Sequence, residues 1–227
     1  MNVALLFFEI VVTFSSVVLF HKFFGKAGLF AWVPIASILA NIMTAKTIDI
    51  LGLSSTMGTV LFASTFLATD IMTELYDIKD ARKCVWMGMS GTLFYILSSQ
   101  IAIRYLPSAF DYAHDSMVVI FSLSLRISIA SIIMYFVANM ADVYLYNRIR
   151  EKMHGRYMWI RNNVSTILCN CLENFLFMLL AFIGTYDFPT IMIMALSTSV
   201  IEIIAGVCDT PFLYIATNKR SRDNETA

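Results

Sequence analysis

Charge is scarce in this chain. Only 14% of its 227 residues are Asp, Glu, Lys or Arg, and the sixteen basic and sixteen acidic residues cancel. Soluble domains carry about 25%. With no basic face to track phosphates, nucleic-acid binding is excluded. Cysteine is limited to Cys84, Cys169, Cys171 and Cys208, all in apolar stretches. No disulfide framework follows, and Cys169-x-Cys171 without further Cys or His nearby reads as core filling. The three histidines, His21, His114 and His154, lack metal-ligand spacing. Several chemical signatures are missing. There is no Gly-x-x-x-x-Gly-Lys-Ser/Thr, so the chain does not itself hydrolyse ATP. No His-Glu-x-x-His or Gly-x-Ser-x-Gly occurs, which argues against an intramembrane enzyme. No metal, cofactor or catalytic residue is expected.

Apolar residues fill that space. They make up 59% of the chain, and the mean hydropathy is +0.73. A membrane-crossing helix uses about 20 apolar residues, so seven would account for nearly all of them. The fold class expected is all-α: a polytopic membrane helix bundle of about seven transmembrane helices, a six-helix core plus an N-terminal helix. This arithmetic excludes a secreted enzyme and a two-domain cytosolic protein. A single transmembrane domain over 1–217 and a disordered cytoplasmic tail over 218–227 are expected. The first residues are not read as a signal peptide, since Met1 and Asn2 supply no basic start.

Runs between charged and turn residues predict spans at 3–21, 29–47, 55–73, 84–106, 117–146, 162–185 and 189–216. The third is the weakest, rich in Ser, Thr and Gly. The fifth is too long for one bilayer, and its turns from Asp142 onward are expected to project into water. Lys22 and Lys26, then Lys79, Arg82 and Lys83, then Arg148 through Arg161, then Lys219, Arg220 and Arg222 all follow odd-numbered spans. Positive residues stay cytoplasmic. The amino terminus is therefore expected outside and the carboxyl terminus inside, and Asn163-Val-Ser165 is disregarded as a glycosylation triplet.

The remaining charges sit where lipid should exclude them. A polar group at bilayer depth is a functional candidate by default. Asn41, Arg126, Asn170, Glu173 and Glu202 fall near the midplane, with Arg126 needing Glu173 or Glu202 as partner. Glu9 lies nearer the outer surface. Asp70, Glu74, Asn139, Asp142 and Asp209 lie toward the cytoplasmic third. Two echoes stand out, Asn139-x-x-Asp142 and Asn170-x-x-Glu173, each setting an amide and an acid on one helix face. Such an edge suits a neutral heterocycle with N–H and NH2 donors, for example a guanine-like base. A structural helix contact explains each of these residues singly about as well; their number and shared depth favour a site. Asp70 and Glu74, followed by Lys79, Arg82 and Lys83, read either as a charged membrane boundary or as a proton- or conformation-coupled gate.

These stretches resemble the queuosine precursor transporter family, also called the vitamin uptake transporter family. The likeness runs through Ala40-Asn41-Ile42 with Lys46 and Gly52, Thr69-Asp70-Ile71-Met72-Thr73-Glu74 with Tyr76, and Ala130-Ser131 with Asn139 and Asp142. It continues in Trp159-Ile160-Arg161-Asn162-Asn163-Val164-Ser165-Thr166 and Asp209-Thr210-Pro211 with Tyr214. It covers nearly all of the chain after the first span. The resemblance implies a multi-pass inner-membrane importer of 7-deazaguanine bases or queuine, used in tRNA modification. Its partners would be that small molecule and the bilayer, with self-association left open. The substrate site implied is Asn170, Glu173, Asn139, Asp142, Asn41 and Arg126. The implied gate or coupling set is Asp70, Glu74, Arg161 and Lys46. Asp77 departs from the family's usual glycine, and Asn139 and Asn170 from its glutamines. Glu173 replaces a shorter aspartate, and Glu202 falls where lysine is common, which leaves the preference among bases open. The alternative function is the substrate-binding subunit of an ATP-energised uptake system, for which Ala36-x-x-x-Ala40 would be a docking face.

Overall fold

The computed structural model describes residues 1–122 and 125–223, the side chains of 54, 125–128 and 219–223 excepted. It is a helix bundle: α1 (Asn2–Met43), a small hairpin of β1 (Thr47–Ile50) and β2 (Leu53–Thr56), α2 (Thr59–Leu75), α3 (Ile78–Ala102), α4 (His114–Phe121), α5 (Leu125–Lys152), α6 (Met158–Phe182) and α7 (Phe188–Asp223). Among the described residues, four helical stretches are long and apolar enough to cross a membrane: Asn2–Met43, Ile129–Lys152, Met158–Phe182 and Phe188–Asn218.

The predicted first two spans are one helix by hydrogen bonding but two by direction. Gly25 takes φ 58°, ψ −136° inside α1, a conformation glycine reaches without a Cβ penalty. The chain reverses there. The Phe20 and Trp32 rings are 5.2 Å apart, whereas twelve residues of straight helix would separate them by about 18 Å. A Cβ on Gly28 would stand 2.2 Å from the Phe20 carbonyl oxygen, so glycine there lets the two halves touch. The second half stops at Met43 rather than 47. Its place is taken by the hairpin, an element the alternation of this sequence does not announce. Leu51 and Gly52 hold φ 53° and 84°, the two-residue turn whose twist matches its strands. The Asn2 side-chain amide donates to the Asp49 carbonyl at 2.9 Å, which fastens the start of α1 to this end of the bundle.

Helix α2, from the predicted span rich in Ser, Thr and Gly, is the centre of the fold. It packs against α1, α3, α5 and α7, and every residue from Ala63 to Thr73 is buried. Its hydroxyls explain how. Ser64, Thr69 and Thr73 donate to carbonyls of their own preceding turn, and Thr65 shares its proton between the Phe62 carbonyl and Asn139 Oδ1, so small side chains pack closely with their donors engaged. Around it close Phe14, Val17, Leu29 and Val33 from both halves of α1, Val85 from α3 and Leu213 from α7. Cys169 packs with Phe66 and Ala138.

One further boundary differs from expectation. The predicted fifth span is divided into α4 and α5, α4 closing where Ser122 N–H bonds Val118 O with ψ at 45°. Asp142, Val143 and Tyr146 are fully buried, so α5 does not leave the protein at Asp142. The neighbouring helices follow it about one turn further. At the other end of the chain the α7 backbone continues to Asp223, and residues 224–227 lie outside the described residues.

Candidate functional site

Antiparallel packing of α5 and α6 sets the register of the site. Arg161 lies over the Tyr146 ring at 5.5 Å, Ser165 is beside Asp142, and Tyr135 and Glu173 line one cavity. Polar side chains recur at 131, 135, 139, 142 and 146 on α5. On α6 they recur at 162, 163, 165, 166, 170, 173 and 174, spacings that keep each set on one face. With α2 and α7 opposite, they form a polar seam along the bundle.

At the end near Gly25 the seam is closed by a latch. Arg161, 1% exposed, donates Nη2 to Glu74 Oε2 at 2.6 Å, and its Nη1 reaches the carbonyls of Gly155 and Arg156 at 3.0 and 3.1 Å. Tyr146 OH donates to the same Glu74 oxygen at 3.1 Å. Arg150 bonds the Thr73 and Glu74 carbonyls at 2.8 and 3.2 Å. Positive φ at His154, Gly155 and Tyr157 turns the α5–α6 loop back over this cluster. Beside it, Lys26 and Lys83 pair with Asp80. The Lys26 hydrogen bond holds the Asp80 carboxyl below its ordinary value.

One turn deeper lie Asp70, Asp142 and Asp209, each 0% exposed. Asn162 donates to Asp209 Oδ1 at 2.6 Å, and Asn162 and Asn163 both reach Thr210 Oγ1. Asp70 and Asp142 face each other, and neither carboxyl makes a well-formed hydrogen bond.

The two sequence echoes part company here. Asn139 is fully engaged: its Oδ1 accepts from Thr65 Oγ1 at 3.2 Å and its Nδ2 donates to the Tyr135 carbonyl at 3.0 Å. Asn170 is also completely buried, yet neither Nδ2 nor Oδ1 has a partner. Because α5 and α6 run in opposite directions, the acids diverge from the amides. Asp142 points toward the latch and Glu173 toward the hairpin, about 10 Å apart along the axis by helical rise. They do not form one recognition edge.

Glu173 instead lines a cavity of about 150 Å³ with Glu202, Asn174, Asn41, Phe62 and Tyr135; Thr44, Thr56 and Gly58 mark its side beside the hairpin. Asn174 Nδ2 donates to Glu202 Oε2 at 2.5 Å and to Ser199 Oγ at 3.3 Å, while Glu173 Oε2 is buried and unpartnered. Asn41 donates Nδ2 to the Ser37 carbonyl at 2.8 Å. Lys46 is exposed at the hairpin end and belongs to no cluster with Glu74 and Arg161. The side chain of Arg126 lies outside the described residues. Sequence reasoning passed over Asn174 and Tyr135. Continuing the α6 stripe from Asn170 by four residues reaches the first, and from Asn139 back by four the second.

A helical membrane bundle that hides a polar seam, latched at one end and ending in a small cavity, is built as a carrier of a small polar solute. The chain belongs to the family described as "Putative vitamin uptake transporter", whose profile matches residues 56–216. It is 31% identical over 221 residues to a "Probable queuosine precursor transporter" of Bacillus subtilis (strain 168), covering 97% of this chain and 96% of that protein. It is 28% identical over 145 residues to the "Queuosine precursor transporter" of Escherichia coli (strain K12), 63% of this chain and 62% of that protein. A "Probable queuosine precursor transporter" of Haemophilus influenzae is 31% identical over 133 residues, 59% of this chain and 54% of that protein. No solved structure matches.

Proposed function

We propose that this chain imports a queuosine precursor, a 7-deazaguanine base, across the inner membrane for tRNA modification. The observation that carries the reading is the unpartnered edge of Asn170 and Glu173 on one face of α6, beside an aromatic-walled cavity. A carboxylate accepts the paired N–H and NH2 donors of a guanine-like edge, and a carboxamide supplies both a donor and an acceptor. Phe62, Tyr135 and Phe177 offer ring faces for the base. The cavity is below the 300–1,000 Å³ or so of ordinary ligand pockets, which favours a bare base over queuine with its added ring. Asp142, Asp70 and Asp209 then serve as the next polar step, and Glu74 with Arg161 as the inner gate. The relatives' names lend no support to an ATP-energised assembly.

Counting both halves of α1 with α2, α3, α5, α6 and α7 gives seven crossings. The Gly25 end gathers Lys22, Lys26, Lys79, Arg82, Lys83 and the basic run 148–161, so it is taken as cytoplasmic. The amino terminus and hairpin are then outside. Uptake in cells unable to make the precursor tests the function. Expression should restore the modified nucleoside, and Glu173→Ala and Asn170→Ala should each reduce uptake at least about tenfold, one lost charge-assisted hydrogen bond's worth. Wild-type rates in both variants would reject the site.

A further inference from the structure

The polar seam uses one face of α5, and a different face of the same helix borders a groove that transport does not call on. This groove, about 610 Å³ and open on its outer side, is lined by Arg82 and Trp86 of α3 and by Phe136, Val137, Met140 and Tyr144 of α5. Trp86, Val137 and Tyr144 are exposed, and the Trp86 and Phe136 rings meet at 4.6 Å. Gly88 lies against the Tyr135 hydroxyl while Arg82 shares the groove with Tyr144, so α3 and α5 run antiparallel. Arg82 therefore precedes Trp86 by one turn, Tyr144 follows Met140 by one turn, and both polar tips gather at the Gly25 end. Arg82 is the one charged residue lining the groove, and it enters no ion pair among the described residues. The acids beside it on α3 are already engaged: Lys26 and Lys83 hold Asp80, and Asp77 accepts from Lys79 N–H at the helix start.

We propose that this groove binds one anionic phospholipid, its phosphate on Arg82 and an acyl chain running past Met140 along Val137 and Phe136. Lipid tails need only the apolar part. A guanidinium at the mouth adds complementarity to a phosphate, which it meets with two parallel N–H···O bonds. Basic pockets between membrane helices at the cytoplasmic side suit anionic headgroups in this way. Trp86 and Tyr144 contribute an indole N–H and a phenol O–H at the same end, the depth at which such amphipathic rings settle. A second copy of this chain fits less well, because a two-fold contact through the groove brings the same cation from both sides, with no acid among the lining residues to meet it. The site rests on α3 and α5 crossing the bilayer side by side, as counted above, and is independent of which base is carried.

Trp86 lets the groove report on itself. The purified full chain is placed in phosphatidylcholine nanodiscs containing a rising fraction of brominated phosphatidylglycerol or brominated phosphatidylcholine, whose acyl chains quench tryptophan on contact. Wild type should be quenched at an about fivefold lower fraction of the anionic lipid, which converts to about 1 kcal/mol, the worth of one basic residue near an anionic surface. Trp86→Phe should remove this selective component. Arg82→Gln should bring the two lipids within about twofold while quenching by phosphatidylcholine stays as in wild type, which guards against a misfolded variant. Lys22→Gln removes an exposed charge from α1 at the same end and should leave the preference intact. Equal quenching by both lipids in wild type, an undiminished preference in Arg82→Gln, or equal losses in Arg82→Gln and Lys22→Gln overturns the inference and leaves the crossing count standing. Trp86 quenched by neither lipid overturns it as well, and native mass spectrometry then gives the reason. A dimer means that a second copy covers the groove; a monomer means that α3 does not cross, and the count falls too.

Discussion

The latch and the mid-seam are built from similar residues and differ in one respect. At the latch, Glu74 receives Arg161, Tyr146 and Arg150, and Arg161 turns Nη1 to the carbonyls of the loop that covers it, with Nε left without a partner among the described residues. One to three turns away, Asp70, Asp142, Asn170 and Glu173 bury polar atoms without a well-formed hydrogen bond. A fold that engages both terminal nitrogens of a buried guanidinium has no structural need for a carboxamide with neither atom partnered at equal depth. The latch polarity stabilises; the mid-seam polarity costs stability, a cost the proposed substrate contacts would offset. The contrast yields opposite expectations for mutations only two or three turns apart.

The largest effect is expected at the latch. Removing one partner of a buried ion pair strands the other charge, which costs about 3–5 kcal/mol. Arg161→Ala should therefore unfold at a markedly lower temperature in detergent. Replacing both partners with apolar side chains of similar size, as in Glu74→Leu with Arg161→Met, removes the stranded charge and should recover most of that loss. If this end is the inner gate proposed above, uptake should remain impaired in the double variant, whose closure no longer has a charge pair. A double variant as unstable as the single one would show that the loop carbonyls, not the ion pair, hold this end.

Asn170 gives the intermediate effect, with the sign reversed. An unpartnered buried amide costs about 1–3 kcal/mol, so Asn170→Leu should leave thermal stability unchanged or raise it by about 1 kcal/mol while uptake collapses. Asn139→Leu is the matched control. It breaks two hydrogen bonds and should destabilise by about 1–2 kcal/mol. Equal destabilisation by both variants would erase the distinction between the engaged echo and the open one.

That distinction marks how far the sequence could be followed. Hydropathy is a local quantity, so it located the helices, and the i, i+3 spacing put Asn170 with Glu173 and Asn139 with Asp142. The alternating spans also set α5 and α6 antiparallel and put Asp142 nearer the cytoplasmic side than Glu173. What the sequence could not carry is which groups find partners, and only packing shows Asn139 engaged and Asn170 without a partner. The same limit hid the importance of α2. Hydroxyls lower its hydropathy, yet they bond back to their own helix and allow the closest packing in the bundle. The hairpin at 47–56 escaped notice because four-residue strands between helices leave almost no period to detect. Lys46 was grouped with Arg161 by motif alone, and the reversal at Gly25 sends it to the far end.

The smallest effect belongs to the rim of the latch, where Asp80 ties α3 to the turn of α1. Lys26 lowers its carboxyl below the ordinary value, with Lys83 adding to this. A carboxyl lowered on folding contributes stability above its unfolded pKa, and the contribution fades as pH falls through the folded value. Lys26 and Lys83 are both substantially exposed, so solvent screens the pair and the gain is slight. Thermal unfolding of wild type and Asp80→Asn should therefore differ a little at neutral pH, converge below the usual carboxylate range, and converge also at high salt, which screens exposed charges within roughly 3 Å at 1 M. The Glu74–Arg161 pair is buried on its arginine side and should keep most of its stabilisation in the same salt. If Asp80→Asn instead proved as damaging as Arg161→Ala, and as insensitive to salt, the Gly25 turn would have to be counted with the latch as one closed unit, not as its solvated edge.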